Sequence, residues 1–135
     1  MALITWNEQY SVAIASIDDQ HKVLFGLIDN FYENIQNSSS NENIQKLVIG
    51  MRKYTQTHFS MEEKFMIQFN YPDYENHKKE HDTFVAKVIE LEDKLHAKKL
   101  VLSLGVTAFI KDWLKNHIQE EDKKYSELFI KKGVI

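Results

Sequence analysis

Apolar side chains recur at three- and four-residue intervals along most of this chain, the spacing that lines one face of an α-helix. After Asp18, read as an N-cap, His21, Leu24, Ile28, Phe31 and Ile35 form such a row and predict a helix over 18–37. The polar run Asn37-Ser38-Ser39-Ser40-Asn41 predicts a loop in which Ser40 or Asn41 caps the next element. Leu47, Met51, Tyr54, His58, Glu62, Phe65 and Phe69 share one continuous face, predicting a second helix over 42–69. Pro72, inside Asn70-Tyr71-Pro72-Asp73, cannot continue that ladder, and Asp73 is suited to start a third helix, 73–96. That helix carries His77, His81, Phe84, Val88, Leu91 and Leu95 on one side and Lys78, Lys79, Glu80 and Asp82 on the other. A fourth, about 101–130, is marked by Val106, Phe109, Ile110, Trp113, Leu114, Ile118, Tyr125 and Phe129. Residues 1–17 show no helical stripe and are read as an arm packed on the helices. Four long elements with short links predict an all-α, up-down-up-down four-helix bundle with an N-terminal arm, a single domain spanning 1–135.

Composition agrees with this picture and narrows the chemistry. The 135 residues include one proline and four glycines, of which Gly26, Gly50 and Gly105 fall inside predicted helices. Each costs about 0.5–1 kcal/mol relative to alanine, a cost that close helix contact could offset but that the sequence does not explain. The net charge of −3 comes from mixed acids and bases, without a basic block suited to a phosphate backbone, so no nucleic-acid partner is expected. Cysteine is absent, which excludes thiolate metal sites and leaves nitrogen and oxygen as donors. No stretch approaches the roughly 20 apolar residues of a membrane span and no secretory signal is present, so a soluble, cytoplasmic protein is predicted. The polar outer faces predict a monomer. Lys98-Lys99 and Lys131-Lys132 read as solvated faces, and Met51, Met61 and Met66 as core filling.

The polar residues inside the apolar stripes stand out against this background. A single histidine on an apolar face is ordinarily structural. Here His58 and Glu62 are four apart, as are His77 and His81, so each pair lies one turn apart on one face and can converge on one ion. His21 and His117 occupy the stripes of the first and fourth helices, so all four helices send nitrogen donors inward. Without metal, such a cluster would bury polar groups at a cost of several kcal/mol. His96 falls on a polar face and is expected to be exposed. The last acid is ambiguous by spacing alone. Glu121 lies four residues after His117, whereas Asp122 lies five on, about 140° around an α-helix. The burial pattern leans towards Asp122, which continues the row of Ile118, Tyr125 and Phe129.

Taken together, these residues make a chain that resembles the hemerythrins, and especially the single-domain bacterial members. The resemblance runs over essentially the whole length. It covers Trp6, Ile17-Asp18-Asp19-Gln20-His21, the H-x-x-x-E of His58 and Glu62, Tyr71-Pro72, the H-x-x-x-H of His77 and His81, and Trp113-Leu114-Lys115-Asn116-His117-Ile118 followed by Asp122. It implies two non-haem iron ions, one bound by His77, His81 and His117 and the other by His21 and His58. Glu62, Asp122 and an oxide or hydroxide are implied as bridges. The family pattern H-x-x-x-x-D also selects Asp122 over Glu121.

Such a donor set fills about eleven of roughly twelve positions on two octahedral ions, leaving one open on the side of His21 and His58. Dioxygen is expected to bind there, reversibly, because a histidine-rich shell stabilises high iron oxidation states less than the carboxylate-rich shells of ferritin-like proteins. A dry pocket would favour release. Leu24, Ile28, Phe59, Trp113 and Ile118 are its candidate lining, although each serves equally as ordinary core, and Trp113 is placed to orient His117. The expected role is storage, transport or delivery of dioxygen, not enzymatic turnover. The competing readings are a redox enzyme acting on peroxide, nitric oxide or dioxygen, and a sensor, for which the chain has no output domain.

Overall fold

The computed structural model describes residues 4–37, 40–96 and 104–135. Its helices are α1 (Ala15–Gln36), α2 (Asn41–Gln68), α3 (Tyr74–His96), α4 (Leu104–Asn116) and α5 (Lys123–Lys131), the last two joined by a π-helical segment, His117–Asp122. The backbone stays right-handed helical through both junctions, at Asn116 (φ −66°, ψ −41°) and Lys123 (φ −63°, ψ −26°), so α4, the π segment and α5 form one rod. The fold is the all-α four-helix bundle of the sequence reading, with an arm containing one 3-10 turn, Glu8–Tyr10. The reading of helix at 101–103 lies outside the described residues. No helix among the described residues is long and apolar enough to cross a membrane.

Local chemistry accounts for the helix ends. The Ser40 hydroxyl accepts from the Asn43 N–H at 3.2 Å and caps α2. At the other end Asn70 takes a left-handed φ of 54°, which lets Tyr71 N–H reach Met66 C=O (2.8 Å) and Asn70 N–H reach Ile67 C=O (3.3 Å). These are the two bonds of a Schellman motif, and Pro72 then prevents any continuation. The Asp73 carbonyl accepts from His77 N–H at 3.0 Å as α3 begins.

The start of α1 corrects the sequence reading. The helix begins at Ala15, and Ile14 occupies the cap position without a side-chain hydrogen bond, so Asp18 is not the N-cap. Its carboxylate serves the arm instead. Oδ2 accepts from the Ser11 hydroxyl at 2.6 Å and Oδ1 from the Val12 N–H at 2.9 Å. Between these anchors and the helix, Ala13 is held at φ 60°. Further out, Ile4 N–H donates to Asp29 Oδ1 at 2.9 Å.

Two apolar clusters form the core. The larger contains Leu24, Ile28, Met51, Phe59, Phe84, Leu114 and Ile118 among others, and the smaller joins Val12 and Ile14 of the arm region to Ile17, Met66, Tyr71, Tyr125 and Phe129. Each rod carries an inward residue placed between the two clusters: His21 between Ile17 and Leu24, Glu62 between Phe59 and Met66, His81 between Tyr74 and Phe84, Asp122 between Ile118 and Tyr125. The polar layer is therefore closed by hydrocarbon at both ends.

Close contact does not explain Gly26 and Gly50, because a Cβ added at either would meet nothing within 4 Å. Gly26→Ala and Gly50→Ala are each expected to raise stability by about 0.5–1 kcal/mol in urea unfolding, and a loss would contradict the open space at these positions. In the same assay Asp18→Ala should cost about 1–3 kcal/mol, since it strands the Val12 N–H and the Ser11 hydroxyl. A neutral result there would mean that the arm is not held by this carboxylate.

Candidate metal centre

Helical repeat delivers the polar residues to one layer. His58 and Glu62 project from one face of α2 and His77 and His81 from one face of α3, each pair a turn apart. α1 contributes His21, and the π segment contributes His117 and Asp122. All seven are between 0% and 3% exposed. They form two groups that share both acids: Glu62, His77, His81, His117 and Asp122 on one side, and His21, His58, Glu62 and Asp122 on the other. Within each group the potential ligand atoms lie within 4.8 Å of one another.

The π segment resolves the spacing problem. Five residues overshoot one α-helical turn, but the wider π turn, with hydrogen bonds from i to i+5, brings positions five apart much closer to one face than an α-helix does. His117 Nε2 and Asp122 Oδ1 consequently meet at 3.0 Å. Asp122 Oδ1 also lies 3.0 Å from His77 Nε2, while Oδ2 lies 3.2 Å from His21 Nε2, so its two oxygens divide between the two groups. Glu62 Oε1 lies 3.2 Å from His58 Nε2 and 3.5 Å from His81 Nε2. The other Glu62 oxygen accepts a short hydrogen bond from the buried Tyr125 hydroxyl.

All five rings turn Nε2 inward. On the outward side, Nδ1–H donates from His58 to Gln20 Oε1, from His81 to Glu63 Oε2 at 2.8 Å, and from His117 to Glu80 Oε1 at 3.0 Å. Two rings are also fixed by stacking. Phe59 lies flat on His81 (centroids 3.7 Å, 3°) and Trp113 on His117 (4.5 Å, 13°). Of the candidate pocket residues, Leu24, Ile28, Phe59 and Ile118 are buried in the larger apolar cluster, and the partly buried Trp113 packs against it. His96 is exposed, as the sequence suggests, and its Nδ1 faces Gln45 Nε2 at 3.1 Å.

The donors fit metal ions. His77 Nε2, Glu62 Oε1 and Asp122 Oδ1 are buried and lack hydrogen-bond partners despite their mutual proximity, so their lone pairs are free for coordination. Such orphaned groups are costly unless a cation takes them. Imidazole nitrogen with carboxylate oxygen is a donor set suited to iron among the first-row metals.

A family profile described as the hemerythrin HHE cation binding domain matches residues 12–129. The chain belongs to the hemerythrin family. It is similar to a bacteriohemerythrin of Methylococcus capsulatus, 34% identical over 126 residues that cover 93% of this chain and 95% of the relative. It is also similar to a myohemerythrin of Sipunculus nudus, 34% identical over 120 residues covering 89% and 88%. A crystal structure of wild-type hemerythrin superposes with a TM-score of 0.87 at 32% identity, covering 94% of this chain and 98% of that one.

In this hemerythrin domain, sequence reasoning passed over Gln20, Glu63, Glu80 and the Tyr125 hydroxyl. Only Tyr125 carries a signal, since a phenol in an apolar row needs a partner for its O–H. The other three read as ordinary flank.

Charge balance in the layer sets its response to pH. Burial opposes ionisation of Asp122, yet His117 and the adjacent His21 and His77 rings hold its carboxyl well below the usual range. Burial also opposes the ionised form of Glu62, which is lowered by His58 and His81. Burial disfavours the charged ring of His117, but Asp122 and Glu80 outweigh it and raise the pKa to about 10. For His81 burial prevails and the pKa is lowered. In the metal-free chain, stabilisation from His117 is complete below the ordinary 6.5 and is lost as pH rises through about 10. The contributions of Asp122 and Glu62 are present above the ordinary 3.8 and 4.5 and are lost as pH falls. Metal must displace the histidine proton. Two equivalents of ferrous ion added anaerobically at pH 7 should release at least about one proton per chain in a pH-stat. Uptake without proton release would contradict the charge assignment.

Proposed function

We propose that the chain binds dioxygen reversibly at a non-haem di-iron centre and serves to store, transport or deliver it. His77, His81 and His117 would hold one iron and His21 and His58 the other, with Glu62 and Asp122 placed to serve both and an oxide or hydroxide completing the centre. The observation that carries this reading is the division of the Asp122 carboxylate, Oδ1 facing His77 and His117 and Oδ2 facing His21. One carboxylate thereby serves both groups, as a bridge requires. Relatives named bacteriohemerythrin and myohemerythrin, aligned over most of their length, support the same reading.

Two ferrous ions held there would supply two electrons and one open coordination position to dioxygen. The chain governs how far that chemistry proceeds. Five imidazoles against two carboxylates give a less anionic shell than Glu-rich di-iron sites, which disfavours the high oxidation states needed for O–O cleavage. Leu24, Ile28, Phe59 and Ile118 exclude the water and protons that would displace reduced oxygen from the centre. Phe59 and Trp113 lie against His81 and His117 and restrict rotation of these rings.

Anaerobic protein reduced with about two irons per chain should be nearly colourless, gain a charge-transfer absorption in air, and lose it again under vacuum over repeated cycles. Failure to hold iron, or steady consumption of dioxygen with added reductant in place of reversal, would contradict oxygen carriage. Glu62→Gln should weaken iron retention by roughly 10–100-fold, read as the rate of iron loss to a chelator. Unchanged retention would remove Glu62 from the bridging role.

A further inference from the structure

The outer hydrogen bonds of the five rings are unequal in charge. On the side of three histidines, His81 and His117 each donate Nδ1–H to a carboxylate, Glu63 at 2.8 Å and Glu80 at 3.0 Å. On the side of two, His58 donates to the neutral amide oxygen of Gln20. Each side has one further ring, His77 and His21 respectively, whose Nδ1 meets no hydrogen-bond partner. These two cancel in the comparison, so the imbalance is two anionic acceptors against one neutral acceptor. Lys78 Nζ stands 3.9 Å from Glu63 Oε1 and offsets part of that charge, although it also binds Asp82 at 3.1 Å. Among the described residues no lysine or arginine nitrogen lies within 4.0 Å of the Glu80 carboxylate, which pairs with His117.

The amide is anchored as firmly as the acids. Gln20 Nε2 lies 3.3 Å from Met61 Sδ, which directs the amide oxygen to His58. The Gln20 carbonyl accepts from the Tyr54 hydroxyl at 3.2 Å, fixing the backbone. Its neutrality is thus a property of a built contact.

A carboxylate that accepts the imidazole Nδ1–H draws the proton outward and makes Nε2 a stronger donor, which stabilises the higher oxidation state of a bound ion. A neutral amide does so less. We infer that Glu63 and Glu80 are positioning residues that place the first oxidising equivalent on the three-histidine side, while Gln20 keeps the two-histidine side ferrous. This rests on the di-iron reading. In the step concerned, one electron leaves the ferrous ion held by His77, His81 and His117 for an added one-electron oxidant such as ferricyanide, with no bond made or broken.

The test is an anaerobic potentiometric titration of the iron-loaded protein, with pulsed EPR of the one-electron-oxidised form counting the nitrogens coupled to the ferric ion. Wild-type protein should show three imidazole couplings. Glu63→Gln and Glu80→Gln retain an acceptor oxygen but remove the charge. Each should disfavour the first oxidation by roughly tenfold, about 59 mV for one electron. Gln20→Glu should shift the potential the other way and move ferric character towards the two-histidine side, a result that does not depend on the first two variants folding. Unchanged potentials in all three variants, or two nitrogen couplings in the wild type, would overturn the inference. Wild-type protein that fails to load two irons would instead overturn the di-iron reading itself.

Discussion

Seven ionisable side chains are enclosed between two hydrocarbon clusters, and a charge in such a setting is tolerable only when an opposite charge lies within a few ångströms. In this bundle the opposition is internal. Asp122 and Glu62 are kept ionised by the histidines around them, and His117 is kept protonated by Asp122 and Glu80. Protons on the imidazoles thus play the part that divalent cations play in the loaded protein. Metal binding would exchange one set of positive charges for another. The rest of the architecture is arranged around that exchange.

Four straight rods of ideal α-helix would not complete the layer. Residues four apart meet on α2 and α3, but His117 and Asp122 are five apart and converge only because the fourth rod widens into a π segment between them. A π turn is less favourable than the α-helix on either side, and such turns concentrate at functional sites. The flanking clusters hold it in place. Ile118 belongs to the cluster on one side of the layer, and Tyr125, stacked on Phe129 at 4.2 Å, belongs to the cluster on the other. The arm contributes through Val12, which is held by Asp18 and shares the smaller cluster with Tyr125, the donor to Glu62.

Periodicity made most of this legible. The rows through His21, His58, His77 and His117 gave the bundle and brought six of the seven inward residues to one layer, because burial and helical repeat are written directly into residue spacing, whereas Asp122 rested on the burial pattern and the family resemblance. Three features were not legible for separate reasons. Asp18 looks like an N-cap in any local reading, and only the path of the arm back over α1 shows that its oxygens are taken by Ser11 and Val12. The π segment depends on packing at both ends of a long helix, which spacing in one chain does not encode. Glu63 and Glu80 lie one residue from Glu62 and His81, on the shoulder between buried and solvated faces, and nothing in the chain separates an acid that supports a buried ring from one that faces water.

The di-iron reading requires two cations lying side by side, with Asp122 reaching both. Diffraction from crystals of the iron-loaded protein, recorded above and below the iron absorption edge, tests this directly. The anomalous difference map should contain two adjacent peaks, one among His77, His81 and His117 and one beside His21 and His58, with one Asp122 oxygen directed at each and the π turn retained. A single peak, or Asp122 turned away from one of two peaks, would contradict it.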